Sequence, residues 1–483
     1  MKKNNLPDGW IQTDIGSICL DSQYGWTTSA NETGKIKFLR TTDITSGSIN
    51  WKTVPYCKNN PDDLEKYLLK DGDIVISRAG SVGVSYLVES PPKAVFASYL
   101  IRFKPLINPK FFSYFLQSNQ YWDSISEKKA GIALQNVNAT KLKQILFPLA
   151  PLNEQKRIVT KIEVLFSKID SVTILLNKIK LQLRRYEESL LNSAFEGTLT
   201  SNWRKNNPNL KSSFDLINEI QVMRNKQFEF EKDKNKQNKL KKTSQIYILG
   251  KHSQINSWMN VKLENLVYIA GRIGWRGLKA DEYTTKGPLF LSAYNLTDGG
   301  LVDFNQVNHI SKERYDESPE IQLQNNDILL IKDGSGIGKI SIVKNLTQQA
   351  TVNSSLLVIR SNEAFIPEFL FYFLYGPKLQ NIVKERITGS AIPHLFQRDI
   401  KQFQLSLPPL EEQQMIVKII ENSLTNIRKT EEHISNELLK IRGLKMSILK
   451  QAFEGKLIPQ DSNDESANVL LEKIKKKQNM IKN

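Results

Sequence analysis

A chain of 483 residues, 40% of them apolar, holds material for several cores and exceeds the size of one ordinary domain. Its 67 lysines and arginines against 50 aspartates and glutamates leave a formal charge of +17, which favours a polyanionic partner, nucleic acid first and an anionic membrane second. Cys19 and Cys57 are the only cysteines, which excludes a disulfide framework and a cysteine-rich metal site. The start, Met1-Lys2-Lys3-Asn4-Asn5-Leu6-Pro7-Asp8, is basic but has no apolar core behind it, unlike a signal peptide. No run approaches the roughly 20 apolar residues that span a bilayer. The expectation is a soluble cytoplasmic protein without membrane contact.

Residues 1–150 read as a mixed domain of short strands and loops. Phe38-Leu39-Arg40, Asp73 to Arg78 and Ser98 to Phe103 look like strands between Gly, Asn and Pro punctuation. Pro109 to Ser118 is aromatic-rich and reads as a helix, and Gly131 to Asn136 as a loop. Residues 151–197 follow as one long helix. Ile158, Ile162, Leu165, Ile169, Val172, Leu176, Ile179, Leu183, Tyr186 and Leu190 are spaced alternately by four and three, a heptad seam that must bury itself against another helix. Residues 198–257 are a polar linker. Arg224 to Lys242 carries eight basic and three acidic residues, and a charge run of this kind is more often a solvated linker than a binding element. A short helix is expected over Asp215 to Lys232.

Residues 258–408 repeat the order of the first domain. Phe290-Leu291 matches Phe38-Leu39, Asp327 to Lys332 matches the strand at Asp73, and Pro367 to Leu374 matches Pro109 to Leu116. Residues 409–455 repeat the long helix, with Ile416, Ile420, Ile427, Ile434, Ile441, Leu444 and Ile448 on the seam. Ser423, Thr430 and Glu437 fill the other places, and Leu424 and Leu438 are neighbours able to shift the seam. The two helix copies are offset by 258 residues without a gap: Pro151-Leu152-Asn153-Glu154-Gln155 matches Pro409-Leu410-Glu411-Glu412-Gln413, and Ala194-Phe195-Glu196-Gly197 recurs at Ala452. The tail, 456–483, repeats the short helix, Leu470 to Ile474 resembling Leu216 to Ile220.

The predicted fold is therefore α+β: two mixed globules separated by a pair of long antiparallel coiled-coil helices, a pseudo-twofold internal repeat shaped like a dumbbell. If DNA crosses both globules, each reads a short patch, and patches on one face of the duplex are spaced in turns of about 34 Å. Because the globules have diverged, the expected target is split and asymmetric.

Pro-Leu-x-Glu-Gln at the head of a long helix and Ala-Phe-Glu-Gly-x-Leu at its end, both twice and at one offset, resemble the specificity subunit of Type I restriction-modification systems along essentially the whole chain. The resemblance implies two target recognition domains, each reading one half of a bipartite site in double-stranded DNA. It implies helices that dock two DNA adenine methyltransferase subunits, with motor-endonuclease subunits joining in the full complex. It also implies a subunit with no catalytic residues and no cofactor of its own.

The residues agree with that absence of chemistry. Asp333-Gly334-Ser335-Gly336-Ile337-Gly338-Lys339-Ile340 nearly matches a phosphate-binding loop, but Asp333 stands where Gly is needed and Ile340 where Ser or Thr is needed. A glycine turn between strands fits better, with Arg78 to Gly83 as its counterpart. Pro91-Pro92 and Pro408-Pro409 follow Ser90 and Leu407, which does not suit an adenine methyltransferase. Asp62, Asp63, Glu65 and Lys66 lack the alternation of a nuclease strand and read as the start of a surface helix. The four histidines have no metal-ligand spacing.

Candidates for base or phosphate contact are loop residues of suitable chemistry. They are Tyr24, Arg40, Arg78, Ser81, Gln135 and Asn136 in the first globule, and Arg272, Arg276, Tyr294, Asn295, Lys332, Ser335, His394 and Arg398 in the second. Trp26 reads as core. The competing reading is a non-catalytic coiled-coil scaffold joining two protein-binding modules, which the helices fit equally well. A self-sufficient methyltransferase or nuclease is disfavoured by the missing motifs.

Overall fold

The computed structural model describes residues 6–129, 136–235, 237–238, 244–249, 255–272, 278–334, 336–389 and 394–482. It divides into two compact units, Met1–Lys178 with Ile434–Asn483, and Ile179–His433.

The first unit is built on the strand Ile74–Ser77, four consecutive buried residues. Successive side chains of a strand point to opposite faces. Ile74 and Ile76 enter one core with Phe111, Phe112 and Phe115, while Val75 enters another with Leu39, Phe96 and Leu100. This strand lies inside an antiparallel sheet ordered Cys19–Tyr24, Leu100–Pro105, Ile74–Ser77, Ser85–Leu87. A second sheet is ordered Ala30–Asn31, Tyr56–Cys57, Lys37–Leu39, Ala94–Phe96, its last pair parallel. The helix Pro109–Phe115 starts on Asn108, whose side chain accepts from the N–H groups of Lys110 and Phe111, and proline stands at its first turn.

The second unit repeats the plan. Ile328 and Leu330 face the core that holds Phe369 and Phe373, and Leu329 and Ile331 face the core of Leu291 and Val352. The sheet order is Val267–Gly271, Leu356–Ser361, Ile328–Ile331, Ile340–Ile342. The near-match to a phosphate loop lies in the antiparallel hairpin between the last two of these strands, so no helix follows it. In both units a strand at the start of the globule pairs with the strand just before the long helix: Ile11–Asp14 with Leu146–Leu149, and Met259–Lys262 with Gln404–Leu407.

Each long helix has 44 residues, Leu152–Phe195 and Leu410–Phe453. Gly197 at φ +78° and Gly455 at φ +66° follow them; this left-handed conformation favours glycine and ends a helix cleanly. In the first unit Ile158, Ile162 and Ile169 share a core with Ile448, Leu449 and Phe453, and Lys445 Nζ meets Asp170 Oδ1 at 2.6 Å. In the second unit Leu191 and Ala194 share a core with Ile416, Ile420 and Leu424. The head of each helix lies beside the tail of the other, so the pair is antiparallel.

The seam is not uniformly closed. Leu190, Ile427 and Ile434 are buried and Leu165, Leu176, Ile179, Leu183 and Ile441 half-buried, but Val172 is 48% exposed, Tyr186 53% and Leu444 50%. An ideal helix drifts about 20° per heptad from a 3.5-residue repeat, which carries such positions off the contact line. In the second helix Leu424, 4% exposed, takes the seam beside Ser423, while Thr430 and Glu437 face water.

The paired motifs form the knots that hold these ends. Glu154 accepts from Trp10 Nε1 at 2.9 Å and from Gln460 Nε2 at 2.8 Å. Glu412 accepts from Trp258 Nε1 at 2.8 Å, Thr200 Oγ1 at 2.7 Å and Arg204 Nη2 at 2.7 Å. The next residue ties the globule to the helix: Gln155 accepts from Asn108 N and donates to the Ala150 carbonyl, and Gln413 accepts from Ile366 N and donates to the carbonyls of Ala364 and Pro408. The segment after each helix packs on the globule of the other repeat. Helix Ser213–Phe230 buries Ile217 and Ile220 in the second unit, and helix Ala467–Lys482 buries Ala467, Leu470 and Ile474 in the first.

Candidate nucleic-acid interface

The strands Ile74–Ser77 and Ile328–Ile331 end at matching places. Arg78 N donates to the Tyr99 carbonyl and Lys332 N to the Ser355 carbonyl, both at 2.9 Å. The Arg78 carbonyl accepts from Val137 N at 3.1 Å, and that of Lys332 from Leu395 N at 3.0 Å. Single antiparallel bridges then join Ala79 to Asn136 and Asp333 to His394. Both loop ends therefore share a backbone frame, although they are 254 residues apart in sequence at Arg78 and Lys332 and the intervening segments differ in length.

Side chains distinguish them. In the first globule the Arg78 guanidinium lies over the Tyr24 ring, 4.9 Å from its centroid, and Arg78 Nε donates to Asn136 Oδ1 at 3.3 Å. Tyr24 is fixed in turn, its hydroxyl accepting from Ala139 N at 3.0 Å. Exposed Ser81 and Tyr99, the latter 62% exposed, flank the group. Tyr24, Arg78 and Asn136 are thus brought together, and Ser81 stands exposed in the turn that follows Arg78. Close by, Gly25 runs so near the Ala97 carbonyl that a Cβ would stand 2.1 Å from its oxygen. In the second globule Lys332 Nζ meets Asp333 Oδ2 at 2.9 Å, and His394 Nδ1 meets Asp333 Oδ1. The His394 ring lies 4.4 Å from that of Phe396, and Arg398 sits over Phe396 at 4.7 Å. Lys332, His394 and Arg398 therefore belong to one cluster. Asp333 and half-exposed Phe396 complete it. Sequence reasoning singled out neither as a site residue, although Phe396 between His394 and Arg398 is an aromatic interleaved with basic groups.

Other candidates are placed differently. Asn295 is 3% exposed; it accepts from Ser292 N at 2.9 Å and donates to the carbonyls of Asp303 and Gln306. Arg272 is 4% exposed, with Nε donating to the Val352 carbonyl at 3.1 Å and its guanidinium over Phe290. Burial, and then Arg314, lower its pKa below the usual arginine range. Asn295 and Arg272, candidates for DNA contact, are engaged inside the globule: carbonyls take the amide donors of Asn295, and the Val352 carbonyl with the hydroxyls of Ser318 and Thr351 takes those of Arg272. Arg40 is held by Asp43 Oδ1 at 2.9 Å, the hydrogen bond that raises its pKa. Its backbone N–H donates to Asp43 Oδ2 in the cap of a short helix, as Ser292 N donates to Asn295 Oδ1 in the second globule. Tyr294 is 75% exposed on that same cap. Gln135, Arg276 and Ser335 lie outside the described residues. Trp26 packs on Tyr67 with ring centroids 5.3 Å apart, and Asp63 caps the surface helix Leu64–Tyr67. Among the described residues no cluster of three His, Cys, Asp or Glu side chains is placed to hold a metal ion, and no helix is long and apolar enough to cross a membrane.

A duplicated α+β globule, each copy carrying a cluster of basic and aromatic groups at the same loop end, with two long antiparallel helices, is the plan of a recognition subunit built from an internal repeat. The chain belongs to the Type I restriction modification DNA specificity family, whose model matches residues 7–181 and 257–440. It is 24% identical to the Type I restriction enzyme EcoBI specificity subunit of Escherichia coli over 98% of this chain and 93% of that one. It is likewise 24% identical to the EcoKI specificity subunit of Escherichia coli strain K12, over 98% and 97%. The fold resembles a solved chain from work on complex assembly and conformational transition of the type I R-M system, with TM-score 0.68, 17% identity, and 94% and 100% coverage. It also resembles the HsdS subunit from Thermoanaerobacter tengcongensis, with TM-score 0.53, 16% identity, and 94% and 98% coverage. As a specificity subunit the chain serves DNA sequence recognition and is not itself an enzyme.

Proposed function

We propose that each globule reads one half of a bipartite, asymmetric site in double-stranded DNA, with residues 1–150 and 258–408 as the two recognition domains. The long helices, about 66 Å each at 1.5 Å per residue, set the spacing between the half-sites and dock two DNA adenine methyltransferase subunits. Motor-endonuclease subunits join them in the full complex, which works on cytoplasmic DNA. The observation that carries this reading is the pair of matching loop ends, alike in backbone and unlike in side chains: one frame used twice with different chemistry suits the reading of two different short sequences. The charge of +17 supports a polyanionic target.

The test exchanges residues 1–150 for the matching domain of a relative and maps methylated adenines genome-wide. One half-site should change while the other half-site stays the same. The purified chain with its methyltransferase partner should prefer its own duplex at every salt concentration, since phosphate contacts alone give non-specific binding that fades with salt. Equal binding to every duplex, or an unchanged methylated sequence after the exchange, would overturn the proposal in favour of a scaffold.

A further inference from the structure

The two loop ends differ in one charge. Asp333 stands across its bridge from His394 as Ala79 stands across from Asn136, so the second globule carries a carboxylate where the first carries a methyl group. In the first globule Arg78 gives only Nε to Asn136, and its terminal nitrogens find no hydrogen-bond partner among the described residues. A guanidinium presented in this way is a two-pronged donor, whose match on DNA is the O6 and N7 edge of guanine. In the second globule Asp333 divides its oxygens between two groups, Oδ2 for Lys332 Nζ at 2.9 Å and Oδ1 for His394 Nδ1.

Two consequences follow from that division. The Lys332 ammonium is neutralised locally, with 17% of its side chain exposed, and is held back from phosphates. A neutral His394 that donates from Nδ1 to a carboxylate must leave Nε2 as an acceptor, because one ring nitrogen carries the proton and the other the lone pair. Phe396 packs against the ring and limits its tilt. A carboxylate repels phosphate, and this one is engaged inside the globule by Lys332 and His394.

We propose that Asp333 is the positioning residue that fixes base choice in the second half-site. Through it His394 offers an Nε2 acceptor to a base edge bearing an exocyclic amino group, where the first globule offers the donor fork of Arg78. This rests on the base-reading role proposed above.

The experiment compares the wild type with Asp333→Ala, Asp333→Asn and His394→Ala, each assembled with the methyltransferase partner. The readouts are methylated-adenine maps, duplex binding across a salt series and thermal melting. Asp333→Ala and His394→Ala should relax the same single position of the second half-site, by on the order of ten- to a hundredfold in selectivity, and leave the first half-site intact. Asp333→Asn should keep most of the selectivity, since its amide oxygen still accepts from His394 Nδ1. Both Asp333 variants, by freeing Lys332, should steepen the dependence of log K on log salt by about one ion. Unchanged selectivity in Asp333→Ala and His394→Ala, relaxation of the first half-site, or equal loss on all duplexes would overturn the proposal. Should Asp333→Ala fail to assemble, His394→Ala decides. A wild type that selects no split sequence would instead refute base reading itself, which the wild-type map reports separately.

Discussion

Glu154 and Glu412 occupy the same place in the two repeats but are not held alike. Both carboxylates are buried, at 1% and 0% exposure. Glu412 accepts from a guanidinium, a hydroxyl and an indole, whereas Glu154 accepts from an indole and an amide. Removing one partner of a buried ion pair strands the other charge, and the cost is typically about 3–5 kcal/mol. Removing the acceptor of neutral donors costs about 1–3 kcal/mol. Glu412→Ala should therefore destabilise its unit by roughly 3 kcal/mol, and Glu154→Ala should cost its unit about 2 kcal/mol or less. Urea unfolding followed by hydrogen exchange in each unit measures the difference; equal costs would show that Arg204 adds nothing. The repeated Glu-Gln was visible in the sequence as the head of a helix. Its role was not, since its partners lie 144 residues away at Trp10 and 154 away at Trp258, and no local pattern announces such contacts.

The long helices were the most legible elements, because a seam of alternating fours and threes needs only local sequence and a 3.5-residue period to be seen. Their antiparallel sense and the shift to Leu424 agree with that reading. What periodicity could not give was the depth of burial at each place. Ile169 is 7% exposed and sits in the first core, whereas Val172, its neighbour on the same seam, is 48% exposed. Truncating a buried isoleucine forfeits transfer energy and leaves a cavity, about 3 kcal/mol. Truncating a half-exposed valine should stay within about 0.5 kcal/mol. Ile169→Ala and Val172→Ala, compared by thermal melting, should differ accordingly, and a uniform coiled coil would make both costly. The globules were less legible. The strands at Asp73 and Asp327 stood out because four buried apolar or small residues run together. Loop candidates such as Asn295 and Arg272 did not declare whether they face water or carbonyl groups, since polarity is the same in both places and only the folded backbone decides.

At the scale of the molecule, each repeat is completed by the other. The last residues of the chain belong to the unit that its first residues build. Ala467 N donates to the Gly9 carbonyl at 2.8 Å, Gln478 Nε2 reaches the Cys19 carbonyl at 2.6 Å, and Arg157 pairs with Asp464 at 2.6 Å. Ala467, Leu470 and Ile474 add apolar surface to the core that holds Ile74 and Ile76. A chain ending after Gly455 would keep both long helices and both globules, but it would expose that face and leave Glu154 without Gln460. Burying a side chain the size of leucine or isoleucine contributes about 1.5–3 kcal/mol, so the loss should be several kcal/mol and confined to the first unit. Amide exchange of the strand Ile74–Ser77 should quicken by orders of magnitude, while the equivalent strand Ile328–Ile331 keeps its protection, because helix Ser213–Phe230 still covers the second core. Equal quickening in both strands would mean that the units unfold as one and that stability is shared along the helices. An unchanged first strand would mean that the C-terminal helix only decorates a core already complete without it.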